Sequence, residues 1–155
     1  MKTIVAMGAD HAGVELKEEL KSLLVDLGYQ VRDMGSHGPE PVDYPEYAAR
    51  VARELISGRA QRGILACGTG IGMSIVANRF PGVRAALCHD LRTALMSRRH
   101  NDANCLVLGG RLLEKGLARE ITRAWLEEPF EGGRHKVRLD RIRELELEIS
   151  SSPEK

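Results

Sequence analysis

Apolar positions along the chain follow two alternating patterns: short unbroken runs, and longer stretches of helical period. The runs are Thr3–Gly8, Gln30–Met34, Ile64–Cys67, Val83–Cys88 and Asn104–Leu108. Runs this short, bounded by turn residues, read as strands buried on both faces. Between them Leu16, Leu20, Leu23, Leu24 and Leu27 recur at helical spacing, as do Tyr47, Ala48, Val51, Ala52 and Leu55. Further helical segments are expected at 71–80, 91–99 and 112–127. A charged terminal helix follows at 134–149, with Val137, Ile142, Leu145 and Ile149 expected to face the body. Gly28, Gly58 and Pro81-Gly82 separate these elements, and the Gly- and Pro-rich stretch 35–45 reads as a loop able to fold over a site. Strands alternating with helices predict an α/β fold. A five-stranded parallel sheet is covered on both faces in three α/β/α layers, with right-handed crossovers and an extra C-terminal helix. Strand order does not follow from pattern alone, but a switch point between the first and third strands would bring Asp10-His11 beside Cys67.

A chain of 155 residues is a single-domain length, read as one domain over 1–149 with a fraying tail at 150–155. A formal net charge of +1, with both signs scattered along the chain, gives no electrostatic argument for nucleic acid or membrane. Small molecules are the better partners. The N-terminal apolar run stops at Asp10, short of a signal peptide or a membrane span, so a cytoplasmic protein is expected. Cys67, Cys88 and Cys105 are odd in number and lack a C-x-x-C pair, so free thiols are expected.

The chemistry concentrates at Cys67-Gly68-Thr69-Gly70-Ile71-Gly72, where a strand ends on a cysteine and alternating glycines lead into a helix. Glycines at a strand tip let successive N–H groups point at one anion or oxyanion, a setting that suits a cysteine acting as thiolate. Nucleotide templates fail in turn. The last glycine of G-x-G-x-x-G is missing, no P-loop lysine follows, and Met73 stands where a cysteine-dependent phosphatase wants arginine. Taken alone, Cys67 could be a packing thiol, Asp10-His11 a helix cap and surface histidine, and His100-Asn101 a polar helix end. His37, Tyr44 and His89 carry no specific signal, and no metal-ligand spacing is present. Arg134, Arg138 and Arg141 share one face of the terminal helix. Cations in a first helical turn oppose the dipole at a cost of a few tenths to about 1 kcal/mol each, and a bound phosphate would reverse that cost.

Gly8–His11, Cys67–Gly72, Arg98-Arg99-His100-Asn101-Asp102 and Glu131-Gly132-Gly133-Arg134-His135 together resemble the ribose-5-phosphate isomerase B family, which includes galactose-6-phosphate isomerases. The resemblance spans nearly the whole chain. It implies a Rossmann-like fold with sheet order 2-1-3-5-4, metal-free and cofactor-free aldose–ketose isomerisation, and a homodimer or homotetramer with sites built from both subunits. It makes Cys67 the base that moves the proton between C1 and C2, with Thr69 and the amides around Gly68, Gly70 and Gly72 at the enediolate oxygen. His100 would open the furanose ring, and Asp10 and Asn101 would hold sugar hydroxyls or the developing oxyanion. His11, Arg134 and Arg138, with Arg111, would bind phosphate. A second branch of the family uses a glutamate where this chain has Met73, so the cysteine branch is implied. The sugar could be ribose 5-phosphate or a 6-phosphorylated allose or galactose. Two other readings are a non-catalytic sugar-phosphate-binding domain and an enzyme using Cys67 as a covalent nucleophile.

Overall fold

In a computed structural model, which describes residues 1–153, five parallel strands form one sheet in the order β2-β1-β3-β5-β4. The strands are β1 (Ile4–Ala9), β2 (Gln30–Asp33), β3 (Arg62–Cys67), β4 (Ala85–Leu87) and β5 (Cys105–Gly109). The helices are α1 (Val14–Asp26), α2 (Tyr44–Ile56), α3 (Ile71–Ala77), α4 (Leu91–Asn101), α5 (Lys115–Glu127) and α6 (Arg134–Ser151). The predicted α/β class and sheet order are both observed.

The apolar runs are continuous because β1, β3 and β5 are covered on both faces. On one face Leu16, Leu20, Leu23 and Leu24 of α1 join Ile121 and Trp125 of α5 and Ala94 of α4. On the other, Ala48, Val51 and Ala52 of α2 meet Met73 and Ala77 of α3. These two cores hold the strand tips rigidly, which matters because the candidate residues sit on the loops just beyond them.

Several boundaries differ from expectation, each for a local reason. β4 is short because Arg84 N–H donates to the Asn104 side chain, at 2.8 Å, and not to a neighbouring strand. The Asn78 amide bonds the backbone of Ala85 in both directions, at 2.9 Å, where α3 was expected to continue to Phe80. α5 starts at Lys115 because the N–H groups of Leu112 and Leu113 turn back onto the Gly109 carbonyl, both at 3.1 Å. α4, expected to end at Arg99, runs on through His100 and Asn101, and Asp102 takes the left-handed cap at φ 43°.

The largest correction is α6. Val137, Leu145 and Ile149 do not face the body: Val137 is 68% and Ile149 74% exposed, Ile142 is only partly covered, and His135 is the helix's one buried residue. α6 meets the rest of the chain only along one side, where Leu139 and Ile142 line a cleft with Val83 and Ala85 and the Gly82 N–H donates to Glu146. Ser150 and Ser151, expected to fray, continue α6; Glu154 and Lys155 of the expected tail lie outside the described residues.

Candidate active site

The switch point falls between β1 and β3, which pair in register with Ala9 opposite Ala66. Asp10 N–H donates to the Ala66 carbonyl, so Asp10 follows β1 directly beside Cys67 at the end of β3. Cys67 is 5% exposed, and the Gly70 N–H donates to its Sγ at 3.2 Å. That hydrogen bond needs Gly70 at φ 81°, in the left-handed region; a Cβ there would also come within 2.5 Å of Leu87 Cδ1. The exposed Thr69 accepts from Ile71 N–H through Oγ1 at 3.2 Å, which leaves its hydroxyl proton to donate outward.

Asp10 is 7% exposed, and its Oδ1 accepts from the N–H groups of Ala12 and Gly13 at 2.9 and 3.0 Å. Oδ2 has no protein hydrogen bond among the described residues. His11 accepts from Val42 N–H at Nδ1, at 3.1 Å, so in the neutral ring Nε2 carries the proton and presents it as a donor. The same bond docks the 35–45 loop onto the site. Upstream, Asp33 pins the start of that loop by accepting from Lys17, Lys21 and the Gly35 N–H at 2.6, 2.9 and 3.0 Å. Burial alone would raise the Asp33 carboxyl, but these donors outweigh it and hold it at about 2. Arg111 lies over Gly68, and an open cleft of about 650 Å³ lined by His11, Glu15, Arg111 and Lys115 adjoins them. Asp10, His11, Cys67, Gly68, Thr69, Gly70, Gly72 and Arg111 thus form one cluster at the C-terminal edge of the sheet.

His100, Asn101, Arg134 and Arg138 form another, at the opposite edge. α4 leaves the C-terminal edge at Leu91 and runs antiparallel to the strands for 11 residues, about 16 Å at 1.5 Å per residue. It ends just before β5 begins, and Asn104 bonds the Gly63 N–H near the start of β3, at the far end from Cys67. Within one chain His100 therefore cannot approach Cys67. α4 ends where it does because Arg98, 3% exposed, donates to Asp102 Oδ1 and the Ala103 carbonyl, both at 2.7 Å. Arg98 also donates to the Glu128 carbonyl, and Arg99 pairs with the Glu128 side chain. These bonds wrap the segment before α6 around the helix end. Lys136 and Arg141 pair with acids of α6 itself, whereas Arg134 and Arg138 have no ion pair among the described residues.

Three features lie outside the residues singled out from sequence. The Tyr44 ring packs on the glycine loop, so that a Cβ on Gly72 would come within 2.5 Å of its Cζ. Val42 orients His11 through its backbone, which no side-chain pattern signals. His135 stacks on His100 with ring centroids 4.2 Å apart and planes 14° from parallel. Donor atoms of His100, Glu131 and His135 lie within 4.8 Å of one another, a grouping invisible in sequence spacing. Parallel stacked imidazoles aim their in-plane lone pairs side by side, and Arg134 and Arg138 add positive charge there, so the grouping is built for ring contact more than for a cation.

The sequence profile of the ribose/galactose isomerase family matches residues 5–142. The chain belongs to that family. Ribose-5-phosphate isomerase B of Escherichia coli strain K12 is 45% identical over 142 residues, covering 92% of this chain and 95% of that one. D-erythrulose-4-phosphate isomerase of Pectobacterium atrosepticum is 43% identical over 140 residues, 89% of this chain and 91% of the relative. Among solved structures, ribose-5-phosphate isomerase B of Clostridium thermocellum superposes with a TM-score of 0.93 at 47% identity, over 95% of this chain and 99% of that one. As a member of the family, the chain is a sugar-phosphate isomerase of the ribose-5-phosphate isomerase B type. Among the described residues no helix is long and apolar enough to cross a membrane.

Proposed function

We propose that this isomerase interconverts ribose 5-phosphate and ribulose 5-phosphate through an enediolate, in a site shared by two copies of the chain. The observation that carries the reading is the Gly70 N–H directed at Cys67 Sγ at the sheet's switch point, beside Asp10. In the first step the C1–O4 bond of the furanose breaks, C1=O1 forms as the O1 proton leaves, and O4 gains a proton, with His100 moving the proton. Cys67 then takes the C2 proton. The electron pair moves through C2=C1 to O1, where the Thr69 hydroxyl and the loop amides stabilise the oxyanion. Transfer of the O2 proton to O1, followed by formation of C2=O2 as Cys67 returns its proton to C1, yields the ketose. His11, Arg111, Arg134 and Arg138 hold the phosphate, and Asp10 and Asn101 hold hydroxyls. These steps use only side chains and amides, with no metal or cofactor.

Two observations support the shared site. Cys67 and His100 stand at opposite sheet edges, so a complete set needs a second copy docked edge to edge with two-fold symmetry. The exposed apolar side chains of α6, among them Val137, Leu145 and Ile149, form a surface such a copy would cover. The direct test offers the purified protein ribose 5-phosphate, allose 6-phosphate, galactose 6-phosphate and erythrose 4-phosphate and follows each ketose formed. The account expects ribose 5-phosphate to give the highest kcat/KM. Preference for a hexose phosphate would move the specificity, and no turnover of any would leave a binding domain.

A further inference from the structure

The His100–His135 stack has no part in the steps above. His135 is 5% exposed and is the sole buried residue of an 18-residue helix in which only Leu139 and Glu146 are otherwise half-buried. One reading makes it a plain anchor for α6. An anchor needs apolar volume, however, and any aliphatic side chain supplies it. What the structure holds is a flat ring parallel to a second flat ring at contact distance. The segment delivering His135 is tied to the same helix end that carries His100: Glu131 N–H donates to the Arg99 carbonyl at 3.1 Å, and Arg98 and Arg99 both bond Glu128. α4 and the start of α6 are thus built as one unit around the two imidazoles.

Resting on the isomerase reading, we infer that His135 is a positioning residue for ring opening: its planar face fixes the orientation of the His100 imidazole and supports that ring while it carries the transferred proton. Two effects combine. A buried ring in face contact limits rotation of the half-buried His100 about its side-chain bonds, so less orientation is left to chance when the substrate binds. A neutral aromatic face also attracts a cation above it, which favours the imidazolium that ring opening forms in passing. His135 suits that part because its own protonation is suppressed. Burial, then His100 on α4, then Arg134 and Arg138 on α6 hold its pKa below the ordinary histidine value, with only Glu131 of the preceding segment opposing. Its Nε2 lies 3.5 Å from Glu131 Oε2, an exposed carboxylate that also faces solvent.

The inference separates ring opening from proton transfer, and the two substrates of the reaction allow each to be read alone. Ribose 5-phosphate closes a furanose ring through O4 and must be opened. Ribulose 5-phosphate cannot close a five-membered ring on C2, because its C5 hydroxyl carries the phosphate. Exchange of its C1 proton with deuterated solvent therefore needs the base and not ring opening. Full-length His135→Leu and His135→Phe both fill the buried volume, and only phenylalanine restores a plane; should leucine not be accommodated, His135→Ala serves in its place. With folding checked by thermal melting, His135→Leu is expected to lower kcat for ribose 5-phosphate by about tenfold or more with little change in KM, and to leave C1 exchange from ribulose 5-phosphate within about twofold of the unsubstituted chain. His135→Phe is expected to recover most of the lost rate. Equal loss in both assays, or a folded His135→Phe as slow as His135→Leu, would overturn the inference and return His135 to an anchor. No isomerisation and no exchange in the unsubstituted chain would instead remove the isomerase reading itself.

Discussion

The two sheet edges are built in opposite ways. At the C-terminal edge Cys67 and Asp10 are buried and, with the half-buried His11, wired by backbone: Cys67 receives the Gly70 amide, Asp10 receives two, and His11 receives Val42. At the other edge Asn101, Arg134 and Arg138 are exposed, the arginines are unpaired among the described residues, and Val137, Leu145 and Ile149 of α6 are exposed beside them. The first edge is preorganised by its own chain. The second is unfinished, with charge and apolar surface that a docked copy and a bound phosphate would satisfy. The contrast fits the proposed mechanism, in which proton abstraction, which depends on fixed dipoles, belongs to the rigid half. On the proposed mechanism ring opening goes to the half that completes on assembly, and the phosphate is held between the two, by His11 and Arg111 of one and Arg134 and Arg138 of the other.

The sharpest way to break this division is at Cys67. Cys67→Ala should keep the fold and bind sugar phosphate while losing roughly two to four orders of magnitude in turnover, the range for a positioned acid–base group. Cys67→Ser should not rescue it, since a hydroxyl is far less acidic than a thiol. Near-normal C1 exchange from ribulose 5-phosphate in Cys67→Ala would put the base elsewhere. Iodoacetamide sharpens the point. Burial pushes the Cys88 thiol up and the Cys105 thiol to about 12, so mass spectrometry should find the inactivating label at Cys67, with substrate protecting.

A smaller effect is expected at the opposite edge. Arg138→Ala should raise KM for ribose 5-phosphate by about tenfold and weaken inhibition by inorganic phosphate in parallel, because a phosphate contact acts in ground and transition states alike. Unchanged values of both would reduce the arginine pair to a solvated stripe.

The smallest effect concerns the loop docked on His11. Asp33 has its carboxyl depressed from 3.8 to about 2 in the folded chain, so its ion pairs stabilise fully above pH 3.8. That stability is lost as pH falls from there towards about 2. The melting temperature should drop by a few degrees more over that interval than in Asp33→Asn, which should melt lower at neutral pH and show a flatter profile. Parallel profiles would mean that Asp33 carries no linked stability.

The residues of both halves could be named from the chain, but the surroundings of the rigid half were more legible than those of the exposed one. Ile64–Cys67 followed by alternating glycines is a local signal, and strand tips are where such loops act, so Cys67 and its neighbours could be named from spacing. Asp10 beside Cys67 required strand order, which the family resemblance supplied. The side of the sheet on which His100 falls depends on counting one helix back across it, and that follows once α4 is known to run to Asn101. α6 defeated the reading because apolar periodicity reports that a face is to be covered and not by what. The His100–His135 contact joins residues 35 positions apart through hydrogen bonds of Arg98, Arg99 and Glu131 that no local pattern encodes.

Complementation between two inactive chains tests the shared site most directly. Cys67→Ala and His100→Ala chains, each confirmed folded and inactive, are mixed under conditions shown by native mass spectrometry to exchange subunits. Because each mixed pair would hold one site with both Cys67 and His100 intact, and one with neither, activity on ribose 5-phosphate should return to about one quarter of the unsubstituted level for random exchange in an equal mixture. Mixed assemblies that form and stay inactive would contradict a site divided between the two edges.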